Sequence, residues 1–152
     1  MDRNYSYFLD KDGRIWHDGT EITDPRFAML VHKTMQQTNN GLLVRCAGEN
    51  CFLRVEDVPY VVQDVALYKD SDGSLKRIDL IFPGGYTEQL DPTTLSVSDA
   101  NVLYCRVRNG EFSARFTRKS FFRLAPFIEQ AEKTGPYYIK VANQRFPLSE
   151  SP

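Results

Sequence analysis

The sequence has no long apolar run, few cysteines and few histidines. Hydrophobic residues make up 41% of its 152 positions, yet no stretch approaches the roughly 18 consecutive apolar residues of a membrane span. The first residues lack the basic-then-apolar order of a secretory signal. We therefore expect a cytoplasmic protein that does not engage a membrane. Three cysteines, an odd number, do not indicate a disulfide framework in that compartment.

Motifs that bind phosphate, metal or an activated substrate are also missing. None of the nine glycines belongs to a G-x-G-x-x-G or G-x-x-x-x-G-K-[ST] pattern. No Cys and His set has the spacing of a zinc site, and no serine or cysteine stands in a recognisable nucleophile motif. The sequence therefore predicts no catalytic residues, no metal and no cofactor. The isoelectric point of about 6.1 and the short basic region argue against specific nucleic-acid binding, for which values above about 9 are typical.

The charges that are present are unevenly placed. Residues 1–100 carry 10 basic and 16 acidic side chains, a net charge of −6, whereas residues 101–152 carry 9 basic and 4 acidic side chains, a net charge of +5. A basic C-terminal third can attract an anion, or it can dock on the acidic N-terminal part of the same chain. The sequence leaves both interpretations open.

Turn residues flanked by alternating apolar positions predict β-hairpins at both ends of the chain. Near the N-terminus, Asp18-Gly19 is a two-residue turn, which would pair His17 with Thr20, Trp16 with Glu21 and Ile15 with Ile22. Near the C-terminus, Asn109-Gly110 predicts a type I′ turn that pairs Val107 with Phe112. On the polar face of this second hairpin, Arg106, Arg108, Arg115 and Tyr104 share the surface with a single carboxylate, Glu111.

Two helices and a lobe boundary complete the predicted layout. Pro25 starts a helix that ends near Thr38 to Gly41, with His32 on its solvated side. A second helix covers residues 118–133, with a kink or break at Pro126. Pro59 interrupts the strand pattern, so we place an N-terminal lobe of meander, helix and hairpin at 1–58. A C-terminal lobe of antiparallel sheet, helix and hairpin follows at 59–152.

The order of elements indicates an internal duplication. Residues 41–56 align with residues 135–150 without a gap, matching Gly41 to Gly135, Phe52 to Phe146 and Glu56 to Glu150. A small repeat that cannot bury its own apolar face commonly buries it against its twin. We predict an α+β fold of two lobes, built from a duplicated strand-helix-hairpin unit with mainly antiparallel sheet.

Three groups of residues, taken in order, resemble a small bacterial family of unknown function, DUF1285: Asp12-Gly13-x-x-Trp16-x-x-x-Gly19-x-x-Ile22; Val55-Glu56-Asp57-Val58-Pro59; and Val107-Arg108 with Ala114, Arg118, Phe121, Phe122 and Leu124. The resemblance spans nearly the whole chain. It implies a duplicated core, a C-terminal lobe loosely like a pleckstrin-homology fold, and a ligand site between the lobes. It also implies a nucleotide-like ligand and a signalling role, with the site residues Trp16, His17, Glu56, Asp57, Arg108 and Arg118. The chain departs from the family pattern at Phe82-Pro83-Gly84-Gly85 and at residues 91–95.

Three functions are compatible with these patterns. The first is a non-catalytic receptor for a small anionic ligand, in which an arginine among Arg106, Arg108 and Arg118 binds phosphate or carboxylate. Trp16 would stack on a base, and His17 or Asp57 would contact polar edges of the ligand. In its structural alternative, Trp16 is a core residue and Arg108 is a strand partner of Glu111. The second is a protein–protein adaptor that presents the basic sheet face to an acidic partner. The third, which ranks last, is a hydrolase-type enzyme with His17 as general base beside Glu56 or Asp57.

Overall fold

The computed structural model describes residues 4–150. The N-terminal part forms a six-stranded sheet and one helix: β1 (Asn4–Leu9), β2 (Ile15–His17), β3 (Thr20–Ile22), α1 (Pro25–Thr34), β4 (Gln36–Thr38), β5 (Gly41–Cys46) and β6 (Glu49–Val55). Its strand order is β3-β2-β1-β6-β5-β4, and β1 runs parallel to β6. The β2–β3 register joins His17 to Thr20, Trp16 to Glu21 and Ile15 to Ile22, which confirms the predicted Asp18-Gly19 hairpin.

The C-terminal part contains three smaller sheets and a short helix: β7 (Tyr60–Val62), β8 (Asp64–Lys69), β9 (Leu75–Ile81), β10 (Thr87–Gln89), β11 (Ser96–Val97), β12 (Leu103–Val107), β13 (Phe112–Phe116), α2 (Arg118–Leu124), β14 (Ile128–Gln130), β15 (Tyr137–Val141), β16 (Gln144–Pro147) and β17 (Ser149–Glu150). The sheet orders are β10-β9-β8, β17-β11-β12-β13-β7 and β14-β15-β16. Short 3₁₀ turns occupy Pro83–Gly85, Pro92–Thr94 and Ala125–Phe127.

The predicted α+β class with mainly antiparallel sheet is confirmed. Among the described residues, ten of the thirteen strand pairings are antiparallel, and β1–β6, β7–β13 and β11–β17 are the parallel ones. The division into lobes at 1–58 and 59–152, the duplication and the pleckstrin-homology likeness stay predictions. Within residues 4–150, no helix combines the length and apolar character needed to cross a bilayer.

Both helices are shorter than predicted. Helix α1 ends at Thr34 because Met35 adopts φ −53° and ψ 138°, and the next three residues pair with β5. Helix α2 ends at Leu124, and the 3₁₀ turn that contains Pro126 leads into β14, which pairs with β15. Since proline lacks the amide proton that the next helical turn requires, the break falls where expected. The continuation to residue 133 was wrong.

A single apolar core joins the sheets and both helices. Its fully buried members come from both helices and from several strands, and they include Leu9, Val31, Tyr60, Leu80 and Ala114, each 0% exposed. The N-terminal and C-terminal parts meet closely where α1 contacts the 3₁₀ turn Pro83–Gly85. A Cβ added to Gly84 would lie 2.6 Å from the Pro25 carbonyl oxygen and against the Met29 amide nitrogen. Only glycine permits this approach, which accounts for the glycine at the point of departure from the family pattern.

Candidate functional site

A polar groove forms where β11, β12 and β13 turn their outer face toward the junction between β6 and β7. The alternation predicted for the hairpin is present, because Cys105, Val107 and Ala114 are no more than 1% exposed while their sequence neighbours point outward. The register pairs Val107 with Phe112 and Cys105 with Ala114, as predicted. We call this space the junction groove. It is a cavity of about 540 Å³ whose lining includes Asp57, Ser96, Tyr104, Arg106, Ser113 and Ser149.

One wall of the junction groove is a hydrogen-bonded group from three separate elements. Asp57 Oδ2 accepts from the Tyr104 hydroxyl at 2.7 Å and from Arg115 Nη1 at 2.8 Å. Burial raises the pKa of the Tyr104 phenol above its ordinary value, and the hydrogen bond to Asp57 adds to the rise. Tyr104 is therefore a neutral donor near pH 7, and the charge of Arg115 is balanced by Asp57.

Arg106 lies on the groove, and none of the ion pairs within residues 4–150 involves it. Its guanidinium curls over the hairpin turn, where Nε donates to Gly110 O at 2.9 Å, Nη2 to Glu111 O at 3.2 Å and Nη1 to Ser113 Oγ at 3.0 Å. All three acceptors are neutral. Since arginine has five N–H donors, two are left for another acceptor. Arg106 therefore presents an oriented, exposed cation to the groove.

Arg108 is not part of the junction groove, although it lines a neighbouring cavity together with Arg106. It has φ +53°, and its side chain turns inward, so that Nη1 lies 3.2 Å from His32 O, 3.2 Å from Met35 O and 2.8 Å from the Tyr60 hydroxyl. These carbonyls belong to the last turn of α1 and its cap, where helix carbonyls lack partners within the helix and favour a cation. The predicted ligand-binding role of Arg108 gives way to a structural one: it ties β12 to α1. Arg108 also faces Glu111 across the turn, as its alternative role as a strand partner predicted, because the Glu111 amide donates to Arg108 O at 3.2 Å.

His32 belongs to the same buried contact, contrary to the expectation that it is solvated. It is 0% exposed, Nδ1 lies 2.8 Å from Ala28 O, and its ring contacts those of Tyr60 and Phe82. Among the described residues, Nε2 has no hydrogen-bond partner. Burial lowers the pKa of His32 to about 4, so the ring is neutral at physiological pH.

Trp16 and His17 lie on the N-terminal sheet, where Trp16 lines a different cavity. The Trp16 indole donates to Asp10 Oδ2 at 3.0 Å. The His17 Nδ1 atom is 3.0 Å from Ser6 O, and its ring stacks on Tyr7 with centroids 4.6 Å apart. The cavity of about 430 Å³ that Trp16 lines is formed by residues between Ser6 and Arg54. Neither residue is placed with Arg106, so the predicted grouping of Trp16 with the arginines is not formed.

The other two predicted site residues are also apart from the junction groove. Glu56 Oε2 accepts from the Lys11 amide at 2.6 Å, and its own amide donates to Leu9 O. Glu56 thus holds the end of β6 against the turn after β1. Arg118 stacks on Phe122, with the guanidinium carbon 5.3 Å from the ring centroid, and lines a separate groove beside α2. Of the seven predicted residues, Asp57 and Arg106 lie together in the junction groove.

Several groove residues were missed. Tyr104 was visible on the polar face of the hairpin, and the alternating hydroxyls of Thr94, Ser96 and Ser98 were a further signal in the sequence. Ser149 could not be found in this way, because it reaches the groove only through the parallel pairing of β17 with β11. That pairing joins residues far apart in the chain.

The groups considered for catalysis are inaccessible or separated. Ser120 is buried and donates to Val62 O at 2.9 Å. Cys105 is 1% exposed, and burial raises the pKa of its thiol. His17 lies on another sheet. Within residues 4–150, no group of three or more His, Cys, Asp or Glu side chains could hold a metal ion, and all three cysteines are free thiols.

The basic C-terminal third meets acidic residues at two places. Arg115 pairs with Asp57, and both Lys119 and Arg123 pair with Asp64, at 3.5 and 3.3 Å. Part of the positive charge is therefore neutralised by acidic residues of the same chain, which agrees with one of the two interpretations of the charge distribution. Among the predicted site residues, Arg106 and Arg118 are exposed and form no ion pair within residues 4–150, which makes them the candidates for binding an external anion.

These features define an α+β protein with an open polar groove beside the segment that joins β6 to β7. No family model matches the chain, and no curated protein matches it by sequence. Solved structures, in contrast, are similar to the chain. A DUF1285 family protein from Silicibacter pomeroyi DSS-3 is similar over 99% of this chain and 84% of its own, with a TM-score of 0.71 and 20% identity. One from Shewanella baltica OS155 is similar over 79% of this chain and 90% of its own, with a TM-score of 0.60 and 16% identity.

The chain therefore has the DUF1285 fold, which confirms the resemblance seen in the sequence. At these identities the likeness concerns the fold alone. The family's function is unknown, so the site must be argued from the residues of this chain.

Proposed function

We propose that this protein is a non-catalytic receptor for a small anionic ligand of nucleotide-like chemistry, with a signalling role. The ligand binds in the junction groove. The observation that carries the proposal is the guanidinium of Arg106, which is exposed and held in place by three neutral acceptors. An arginine fork oriented in this way suits phosphate or carboxylate oxygens, and its orientation is set before the ligand arrives.

The rest of the groove suits a ligand that is polar as well as charged. Hydroxyl side chains from β11, β13 and β17 line it, and hydroxyls can both donate and accept hydrogen bonds. Its volume of about 540 Å³ falls within the range of roughly 300–1,000 Å³ typical of small-molecule sites. Trp16 lies outside the groove, so the proposal assigns it no base-stacking role.

A thermal-unfolding series with adenosine and guanosine phosphates and cyclic dinucleotides tests the proposal. A ligand at one hundred times its dissociation constant stabilises the folded state by about 2.7 kcal/mol. For a chain of this size each kcal/mol corresponds to roughly 2–4 °C in the unfolding midpoint. We expect at least one compound to raise the midpoint of the wild type by several degrees, and Arg106→Gln to abolish the rise.

The matched control is Arg145→Gln. Arg145 is exposed and stacks on Tyr138 at 4.7 Å, so its loss removes one surface charge without touching the groove. This variant should respond to the same compound as the wild type does. If both variants lose the response equally, the thermal shift depends on net charge alone and not on Arg106, which would contradict the proposal. A full panel of compounds without any shift would contradict it as well.

A further inference from the structure

A second groove lies beside helix α2, on the side of the hairpin away from its turn. This space, the α2 groove, has a volume of about 510 Å³, and its lining includes Val102, Leu103, Phe116, Arg118, Phe121 and Phe122. Leu103 and Phe116 belong to the apolar core, at 1% and 3% exposure. Core residues therefore close the floor of this groove, and the apolar surface that it exposes comes mainly from Phe121 and Phe122.

Phe122 forms an exposed aromatic rim to this groove. It is 57% exposed, the highest value among the exposed large hydrophobic side chains of the described residues. Its neighbour Phe121 is partly buried against the core, with the two ring centroids 5.9 Å apart. When a ligand covers apolar surface that is otherwise in contact with water, the free energy of the system falls. The groove is thus suited to an aliphatic or aromatic group.

The charge on the rim comes from Arg118. Its guanidinium stacks on the Phe122 ring, and within residues 4–150 no ion pair involves it. The helix neighbours Lys119 and Arg123 both pair with Asp64, and Arg115, which also lines the groove, pairs with Asp57. One cation without a carboxylate partner therefore stands at the edge of an apolar cavity.

We propose that the α2 groove binds a small amphiphilic carboxylate. The tail lies over Phe116 and Phe122, and the carboxylate accepts two hydrogen bonds from the planar fork of Arg118. A single uncompensated arginine matches a monoanion, because a dianionic phosphate would leave one charge unpaired. This site is separate from the junction groove and does not depend on Arg106.

Calorimetric titration with octanoate, alongside octan-1-ol as the uncharged ligand of the same chain length, tests this site. We expect octanoate to bind at millimolar concentration or below, and octan-1-ol to bind at least tenfold more weakly. Arg118→Gln, which keeps most of the side-chain length, should raise the octanoate dissociation constant at least tenfold. Phe122→Ser, at an exposed position that tolerates polarity, should raise it as well.

Two matched controls accompany the titration. Arg123→Gln removes a charge from the same helix at a residue that does not line the α2 groove, and Arg106→Gln changes a residue that lies outside the α2 groove. Both should leave octanoate binding unchanged. The proposal is overturned if octanoate does not bind, if octan-1-ol binds equally well, or if Arg118→Gln binds as the wild type does. Arg118-dependent binding to phosphatidylglycerol vesicles or Arg118-dependent dimerisation, without octanoate binding, would also overturn it, by identifying another occupant.

Discussion

His32 shows how burial can change the chemistry of one side chain. Its ring contacts those of Tyr60 and Phe82, and the residue is 0% exposed. The guanidinium of Arg108 donates to the His32 carbonyl oxygen. A proton added to the ring would have no acceptor partner at Nε2. Burial therefore lowers the pKa of His32 from 6.5 to about 4, and the unfolded chain binds this proton more readily than the folded one.

The first stability prediction follows from that difference. The contribution of a neutral His32 is fully present above its unfolded pKa of 6.5, and it is lost as pH falls from 6.5 toward about 4. Between pH 7 and pH 5, the wild type should lose about 2 kcal/mol of unfolding free energy through this residue. Urea unfolding at the two pH values measures the loss.

The matched variant is His32→Gln, which keeps a neutral polar side chain without a titrating group. It should be less stable than the wild type at pH 7, yet it should show a change between pH 7 and pH 5 that is smaller by about 2 kcal/mol. An identical pH dependence in the two proteins would mean that the folded protein does not hold His32 at a lowered pKa.

Arg108 carries the second stability prediction. It binds His32 O, Met35 O and the Tyr60 hydroxyl at the end of α1, and removing it leaves partly buried acceptors without their donor. Arg108→Met should lower the unfolding free energy by about 2–3 kcal/mol, measured by urea unfolding at pH 7. Arg145→Met, at an exposed position, should change it by no more than about 0.5 kcal/mol. Similar values for the two variants would contradict the capping role.

The 3₁₀ turn Pro83–Gly85 is the element that fixes the distance between α1 and the C-terminal sheets. Gly84 and Gly19 have the same φ of +80°, but only Gly84 has neighbours that a Cβ would meet, namely backbone atoms of α1. Substitutions at the two glycines therefore distinguish the cost of backbone strain from the cost of a steric clash. Strain of an L-residue at positive φ costs roughly 1–2 kcal/mol, and a clash with helix backbone comes in addition.

We predict that Gly19→Ala costs about 1 kcal/mol in unfolding free energy, whereas Gly84→Ala costs at least about 4 kcal/mol or prevents folding. Thermal and urea unfolding of the two variants measure the difference. Equal costs would show that α1 does not pack against this turn as closely as the structure has it.

The secondary-structure elements also show which local sequence signals are sufficient to predict a turn or a helix end. The turns Asp18-Gly19 and Asn109-Gly110 were predictable with their registers, because the positive φ values at both turn positions favour Asp, Asn and Gly. The ends of α1 and α2 were not predictable. Residues 36–38 and 128–130 become strands because β5 and β15 lie alongside them. That reason is tertiary and overrides helical periodicity.

For the molecule as a whole, the class and fold could be predicted, and most of the site could not. The apolar residues between Tyr60 and Tyr68 predict a single strand. In the structure, the chain leaves one sheet after Val62 and enters another at Asp64, so β7 and β8 have different partners. Asp57 was predictable as a junction residue and Arg106 as a polar-face residue. The separation of Trp16 and His17 from them depends on how the sheets pack, which no local pattern encodes.

The central claim is that a small anion binds in the junction groove at Arg106, and an NMR titration tests it most directly. The compound giving the largest thermal shift is added to ¹⁵N-labelled protein, and the amide chemical shifts are followed. The account predicts the largest changes at Thr94, Arg106 and Ser113, with none at Trp16 or His17, and their loss in Arg106→Gln. Changes centred on Trp16 and His17, or changes that persist in Arg106→Gln, would contradict it.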